Sequence, residues 1–184
     1  MDLLNVKSVD KAYGGVIANH DVSLTVPKGK IVGIIGPNGS GKTTLFNSIV
    51  GHHPIDSGEI YFNGKEISLL TIPKIARLGM LRTFQQTHIY GKMTCVQNMQ
   101  ISSDIDANWK RIFNPFSKEV DEMVDELLAF VGLYKKRFLL AGDLSFGQQK
   151  LLEFAMALMK KPTILLLDEP TAGVNPTLIN GLID

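Results

Sequence analysis

The chain is predicted to fold as an α/β protein, on three observations. A short, almost wholly apolar and β-branched run, Ile31 to Ile35, enters a glycine-rich stretch, Gly36 to Gly41, and a helical pattern follows from Lys42 to Val50. A second amphipathic helix opens after Leu144-Ser145. It gives way at Pro162 to another apolar run, Ile164 to Leu167, which ends on an acid, Asp168. Strand, loop and helix, then a strand ending in acid, is the layout that gathers ligands at the carboxyl ends of strands.

The 184 residues suffice for one sizeable domain with a small insert. Hydrophobic residues make up 45% and charged residues 20%, which excludes a disordered chain. Net charge is +1 and no basic tract stands out, so nothing in the electrostatics points to nucleic acid. With Cys95 as the single cysteine, no intramolecular disulfide can form, and no Cys–His motif marks it as a nucleophile. The N-terminal MDLLNVKSVDKAYGG lacks a signal-peptide pattern, and no apolar run approaches the about 20 residues that span a bilayer.

Along the chain, Leu3 to Val9 and Val22 to Val26 read as antiparallel strands, with a turn at Pro27-Lys28-Gly29. Ile31 to Ile35 reads as a buried strand and Lys42 to Val50 as a helix stopped near Gly51. Glu59 to Phe62 runs into Asn63-Gly64, a hairpin signal. From about Ile72 the character is helical, with Pro73 suited to the first turn. Val120, Met123, Val124, Leu127, Leu128 and Val131 share one helical face, with Ser117 as N-cap and Gly132 as stop. The polar stretch Ser102 to Phe116, with Trp109, Phe113 and Phe116, reads as a loop or short helix in a helical insert. In the last helix Leu151, Leu152, Ala155, Leu158 and Met159 form the apolar face.

Gly36-Pro37-Asn38-Gly39-Ser40-Gly41-Lys42-Thr43 matches G-x-x-x-x-G-K-[ST] in full. Glycines let the backbone wrap closely and turn its N–H groups inward, and the helix that follows adds a field favourable to anions. A nucleoside triphosphate is the expected ligand, with Lys42 reaching its β- and γ-phosphates and Thr43 offering a hydroxyl to Mg²⁺. A carboxylate at Asp168 can hold the same ion, and Glu169 can orient or deprotonate an attacking water.

The phosphate loop, LSFGQQ (Leu144 to Gln149) and ILLLDEPTAG (Ile164 to Gly173) occur in the order seen in the ATP-binding subunits of ABC transporters. The resemblance covers essentially the whole chain. Phe146 stands where that family's signature usually has glycine, a departure that related subgroups tolerate. The resemblance implies a P-loop NTPase (RecA-like) core with an N-terminal antiparallel β subdomain and a helical insert. The expected boundaries are 1–86 for the β subdomain and first part of the core, 87–143 for the insert, and 144–184 for the signature helix and acid-bearing strand.

It also implies site roles. Tyr13 stacks on adenine, and Gly36, Pro37, Asn38, Gly39, Ser40, Gly41, Lys42, Thr43 and Thr44 cradle the ATP phosphates. Gln85, with Gln86 as the neighbouring candidate, senses Mg²⁺ and the γ-phosphate and links to the membrane subunit. Thr43, Gln85 and Asp168 form the metal set; Glu169, Gln85 and Lys42 form the catalytic set. Ser145 and Gly147, with Gln148, contact ATP held by an opposite subunit; a plain N-cap is the other role open to Ser145, and both can hold together.

ARLGMLRTFQ (Ala76 to Gln85), KMTCVQNM (Lys92 to Met99) and TAGVNP (Thr171 to Pro176) narrow the resemblance to the branched-chain amino acid transport group. The expected function is ATP hydrolysis that powers amino acid import. The partners are a second ATP-binding subunit, transmembrane permease subunits and, indirectly, a solute-binding protein, with the chain on the cytoplasmic face of the membrane. A lipopolysaccharide-export ATPase and a non-transport ABC regulatory module are the alternatives. A GTPase is disfavoured by the absence of an NKxD motif. The family domain continues to a switch histidine, and His20, His52, His53 and His88 all lie too early for that role. Residues 1–184 are therefore expected to bind nucleotide weakly, hydrolyse it poorly and expose apolar surface on one side of the sheet.

Overall fold

The structure, a computed structural model, describes residues 2–83, 89–103 and 117–168. The chain divides into two compact units, residues 1–80 and 81–184.

In the first unit, β1 (Asp2–Tyr13) and β2 (Val16–Pro27) pair antiparallel, as their alternation predicts, in a register that sets Val6 opposite Leu24 and Tyr13 opposite Val16. On its other edge β1 pairs with β3 (Ser57–Phe62), which pairs with β4 (Lys65–Glu66) to complete the order β2-β1-β3-β4. Asn63 and Gly64 both take positive φ, 49° and 77°, and close the β3–β4 hairpin where Asn-Gly predicts it. Leu4, Val6, Val9, Ile60 and Phe62 are buried. So are Leu45 and Ile49 of α1 (Lys42–Ile49) and Ile75 of α2 (Ile72–Arg77).

Ile31 to Ile35 departs from the sequence expectation. The run belongs to no strand, and Ile31 and Ile35 are essentially fully exposed (102% and 99%). A strand covered on both faces exists only between ladder partners. The four-stranded sheet of this unit ends at β2 and β4, and among the described residues the run pairs with neither.

β1 carries bulges, with register shifts between Val6 and Val9 and beyond. Asp10, beside them, is held by Ser57 Oγ at 2.6 Å, the Asp21 N–H at 2.9 Å and His20 Nδ1 at 2.9 Å. These donors favour the carboxylate and lower its pKa from 3.8 to about 2, the Ser57 hydroxyl having the largest effect and the Asp21 amide the next. The folded pKa lies below the unfolded one, so the stabilisation is complete above the ordinary carboxylate value and is lost as pH falls through about 2. Thermal unfolding followed between pH 5 and pH 2 should show a smaller acid-induced loss in Asp10→Asn than in the parent.

Among its described residues the second unit is mainly helical. β5 (Met80–Arg82) and β6 (Ile164–Leu166) form a two-stranded sheet, and Thr83 N–H donates to the Leu166 carbonyl at 3.0 Å. Three residues are too few for an alternating pattern, so β5 is not foreshadowed in the sequence. β6 stops one residue short of the expected Leu167, and within it only Leu166 is buried. Helices α3 (Cys95–Ser102), α4 (Lys118–Phe130) and α5 (Phe146–Leu158) close around Cys95, Met99, Val124, Leu128, Leu152 and Ala155. α4 follows its sequence pattern: Ser117 is the N-cap, Gly132 has φ 71°, and Val124 and Leu128 are buried. Trp109, Phe113 and Phe116 lie outside the described residues.

Two devices tie the segments flanking α3 and α5. Thr94 and Gln97 form a capping box at the start of α3. Asn98, wholly buried, accepts from Tyr90 N–H at 2.8 Å and donates to the Tyr90 and Thr94 carbonyls at 3.1 and 2.9 Å. Backbone bonds from Ala141 to Met93, Gly142 to Gly91 and Cys95 to Leu139 then lash the approach to α5 against the approach to α3. The helix bearing the LSFGQQ motif therefore starts from a fixed point.

Candidate functional site

The phosphate loop is shaped by what its glycines permit. Gly41 is the N-cap of α1 with φ 86°, a left-handed conformation that L side chains resist. A Cβ there would also collide with the Ala18 carbonyl oxygen and meet Asn19 Nδ2 at 2.6 Å. That amide donates to the Gly41 carbonyl at 3.2 Å and pins the end of the loop to β2. At Gly36 a Cβ would lie 2.7 Å from Ser40 Oγ. Gly39 takes φ 82°. Pro37 and Asn38 lie in the same loop, and the Ser40 N–H donates to the Pro37 carbonyl at 3.2 Å.

α1 has no side-chain cap and no acid in its first turn, so its N-terminal field is directed at the loop without a competing carboxylate. Lys42 Nζ reaches back over the loop to the carbonyls of Gly36 at 2.7 Å and Pro37 at 2.8 Å. Thr43 is exposed and Thr44 half-buried on the same first turn. Tight glycine turns, an uncapped helix start and a lysine drawn in from one side fit a polyphosphate.

Tyr13 ends β1 beside the two-residue turn to β2 and remains 44% exposed. An aromatic ring on that scale can stack on a planar base. Its neighbours, His53 and Lys11, carry no signal in the sequence pattern, because they come from other segments or alternate along β1 with no motif.

At the other motif, Ser145 caps α5 as one half of a capping box. Its Oγ accepts from the Gln148 N–H at 3.4 Å, and Gln148 Oε1 accepts from the Ser145 N–H at 3.2 Å. The N-cap role is thus filled, and the Gln148 side chain serves it as well. Gln149, which sequence reasoning passed over, donates from Nε2 to the Leu144 carbonyl at 3.1 Å and to the Ala141 carbonyl at 3.4 Å, clamping the segment before the helix. Ser145 is exposed and Gly147 half-buried in the first turn, where helix N–H groups are directed outward. Phe146, 55% exposed, has Lys150 Nζ 5.2 Å from its ring centroid.

Asp168 follows β6 and is only 7% exposed. Arg82 Nη2 donates to its Oδ2 at 2.8 Å, with both side chains 6% exposed. A guanidinium beside a buried carboxylate offsets the cost of holding that charge out of water. A hard cation such as Mg²⁺ takes oxygen ligands and is usually held by one or two carboxylates with waters and phosphate oxygens, and the Asp168 carboxylate and the Thr43 hydroxyl are each, taken singly, donors of that type. No group of three or more His, Cys, Asp or Glu suited to a metal occurs among the described residues. Gln85, Gln86 and Glu169 lie outside the described residues. Cys95 is fully buried, and burial pushes its thiol pKa up, which leaves it inert as a nucleophile.

Residues 19–172 match the family model described as ABC transporter. The chain is 39% identical to a probable branched-chain amino acid transport ATP-binding protein, LivG, of Archaeoglobus fulgidus, over 100% of this chain and 74% of that protein. It is 37% identical to the high-affinity branched-chain amino acid transport ATP-binding protein BraF of Pseudomonas aeruginosa, over 95% of this chain and 71% of that protein. Among solved structures, the ADP conformation of MJ1267, an ATP-binding cassette of an ABC transporter, superposes with a TM-score of 0.84 at 36% identity, covering 99% of this chain and 74% of that one. The chain therefore belongs to the ABC transporter family, as one of its ATP-binding, ATP-hydrolysing domains.

Proposed function

We propose that this chain energises the import of branched-chain amino acids through membrane permease subunits. The observation that carries this reading is the match along the full chain to a transport ATP-binding protein of that group. No helix among the described residues is long and apolar enough to cross a membrane. In this reading the permease subunits form the solute path. The chain would sit peripherally on the cytoplasmic face, paired with a second ATP-binding subunit and served by a solute-binding protein.

In this reading Tyr13 stacks on the adenine, and residues Gly36 to Thr44 hold the phosphates, with Lys42 offsetting their charge. Thr43, Gln85 and Asp168 would hold Mg²⁺, which when bound neutralises charge on the β- and γ-phosphate oxygens. Glu169 orients the attacking water and takes its proton. Ser145, Gly147 and Gln148 present the start of α5 to ATP on the opposite subunit. ATP then binds more tightly to the closed pair than to separate subunits, and hydrolysis releases the pair.

The test is uptake of radiolabelled leucine by cells that carry this subunit with its permease. Glu169→Gln should lower ATP turnover about 10²-fold or more and abolish uptake, while the purified protein still binds ATP. Uptake undiminished in that variant, or ATP-driven uptake of an unrelated solute class, would refute the proposal.

A further inference from the structure

Two side chains meet the ring of Tyr13, one from the segment after α1 and one from its own strand. The imidazole of His53 meets its ring edge-on, with centroids 5.7 Å apart and planes at 86°. His53 is itself backed by His52, at 4.6 Å and 66°. From within β1, Lys11 Nζ lies 5.3 Å from the Tyr13 centroid. Lys11 is an unusual surface-strand lysine, since its side chain is only 9% exposed and its ammonium is fixed on Asp56 Oδ1 at 2.8 Å. The second oxygen of Asp56 accepts the Ala12 N–H at 2.6 Å, which ties the same carboxylate to the backbone next to Tyr13. Burial, then the neighbouring His52 and Lys11, push the His53 pKa down, which favours the neutral imidazole.

Tyr13 lies next to a two-residue turn and is 44% exposed, and a side chain in that setting ordinarily samples several rotamers. Ordering such a ring on binding weakens affinity, and a ring held in advance avoids that loss. An edge-on contact holds one ring without covering both its faces.

We propose that His53 is a positioning residue that orients the ring of Tyr13 for stacking on the nucleobase of bound ATP, with the Lys11–Asp56 pair as its brace. The inference rests on the reading of Tyr13 as the base-stacking residue, and the experiment separates the two. Binding of ATP and of inorganic tripolyphosphate, which has no base, is measured calorimetrically on the full chain and on His53→Ala, His53→Phe and Tyr13→Ala. His53→Ala should weaken ATP by about threefold to tenfold, the scale of one aromatic edge contact, and leave tripolyphosphate unchanged. His53→Phe, which restores a ring edge, should return ATP affinity to within about twofold of the parent.

Three results would overturn the assignment of His53 while leaving the base-stacking reading intact. They are unchanged ATP affinity in His53→Ala beside a loss in Tyr13→Ala, equal weakening of ATP and tripolyphosphate by His53→Ala, and failure of His53→Phe to restore binding. Unchanged ATP affinity in Tyr13→Ala would instead remove the base-stacking reading and the inference with it.

Discussion

Lys42→Ala is expected to weaken ATP binding by about 10²-fold, with little change in thermal stability. Its ammonium is held over the phosphate loop by the Gly36 and Pro37 carbonyls at 2.7 and 2.8 Å, so it needs no large excursion to meet a phosphate oxygen. A hydrogen bond to a charged group contributes about 1.5–3 kcal/mol, and two such bonds to phosphate oxygens at the low end of that range, about 3 kcal/mol together, account for the predicted loss. The two carbonyls it leaves behind are in an exposed setting, where water replaces the lost donor. Lys42→Arg should not rescue binding, because a planar guanidinium cannot occupy the place of a compact ammonium within so tight a loop. Calorimetric titration with ATP, alongside a thermal melt, checks both halves. A variant that binds as the parent does would show that the loop lysine is not a phosphate ligand.

Arg82→Met is expected to act in the opposite way, on stability first. Arg82 and Asp168 form an ion pair in which both side chains are 6% exposed, so removing the guanidinium leaves a buried carboxylate without its counter-charge. Breaking one side of such a pair costs about 3–5 kcal/mol, a large fraction of the stability of an ordinary domain. Replacing both partners by apolar residues of similar size should recover most of that loss, since neither charge of this pair is then left inside. Urea unfolding of Arg82→Met and of Arg82→Met with Asp168→Leu measures the two states. A single variant within about 0.5 kcal/mol of the parent would show that water already solvates this pair. Because Asp168 is also the proposed metal ligand, the double variant should unfold normally yet lose Mg²⁺-dependent nucleotide binding.

Much of both sites is readable along the chain because their geometry is local. The phosphate loop needs left-handed glycines and a helix start within eight consecutive positions, and Gly39 and Gly41 take those conformations at φ 82° and 86°. Ser145 and Gln148 stand at the N-cap and N3 spacing that a capping box requires, and they form one. The hairpin at Asn63-Gly64 and the helix stop at Gly132 follow from the same short-range sterics. Ile31 to Ile35 misleads because apolar character records a tendency to be covered, and a strand needs a neighbour that composition does not name. β5 is hidden for the converse reason: three residues become a strand through pairing with β6.

The motifs alone carry the chemistry proposed for this chain: a loop of glycines and one lysine for phosphates, a capped helix carrying LSFGQQ, and an acid at the end of an apolar run. Their spacing is enforced by backbone conformation over a few residues, so it is written in consecutive letters. Which side chains meet beside those motifs was decided by folding. Arg82 reaches Asp168 across 86 positions, Lys11 reaches Asp56 across 45, and His53 meets the ring of Tyr13, each pair joined by chain reversal. Charge pairing and ring contact depend on distance in space and on the exclusion of water, and neither is a property of neighbours in a sequence.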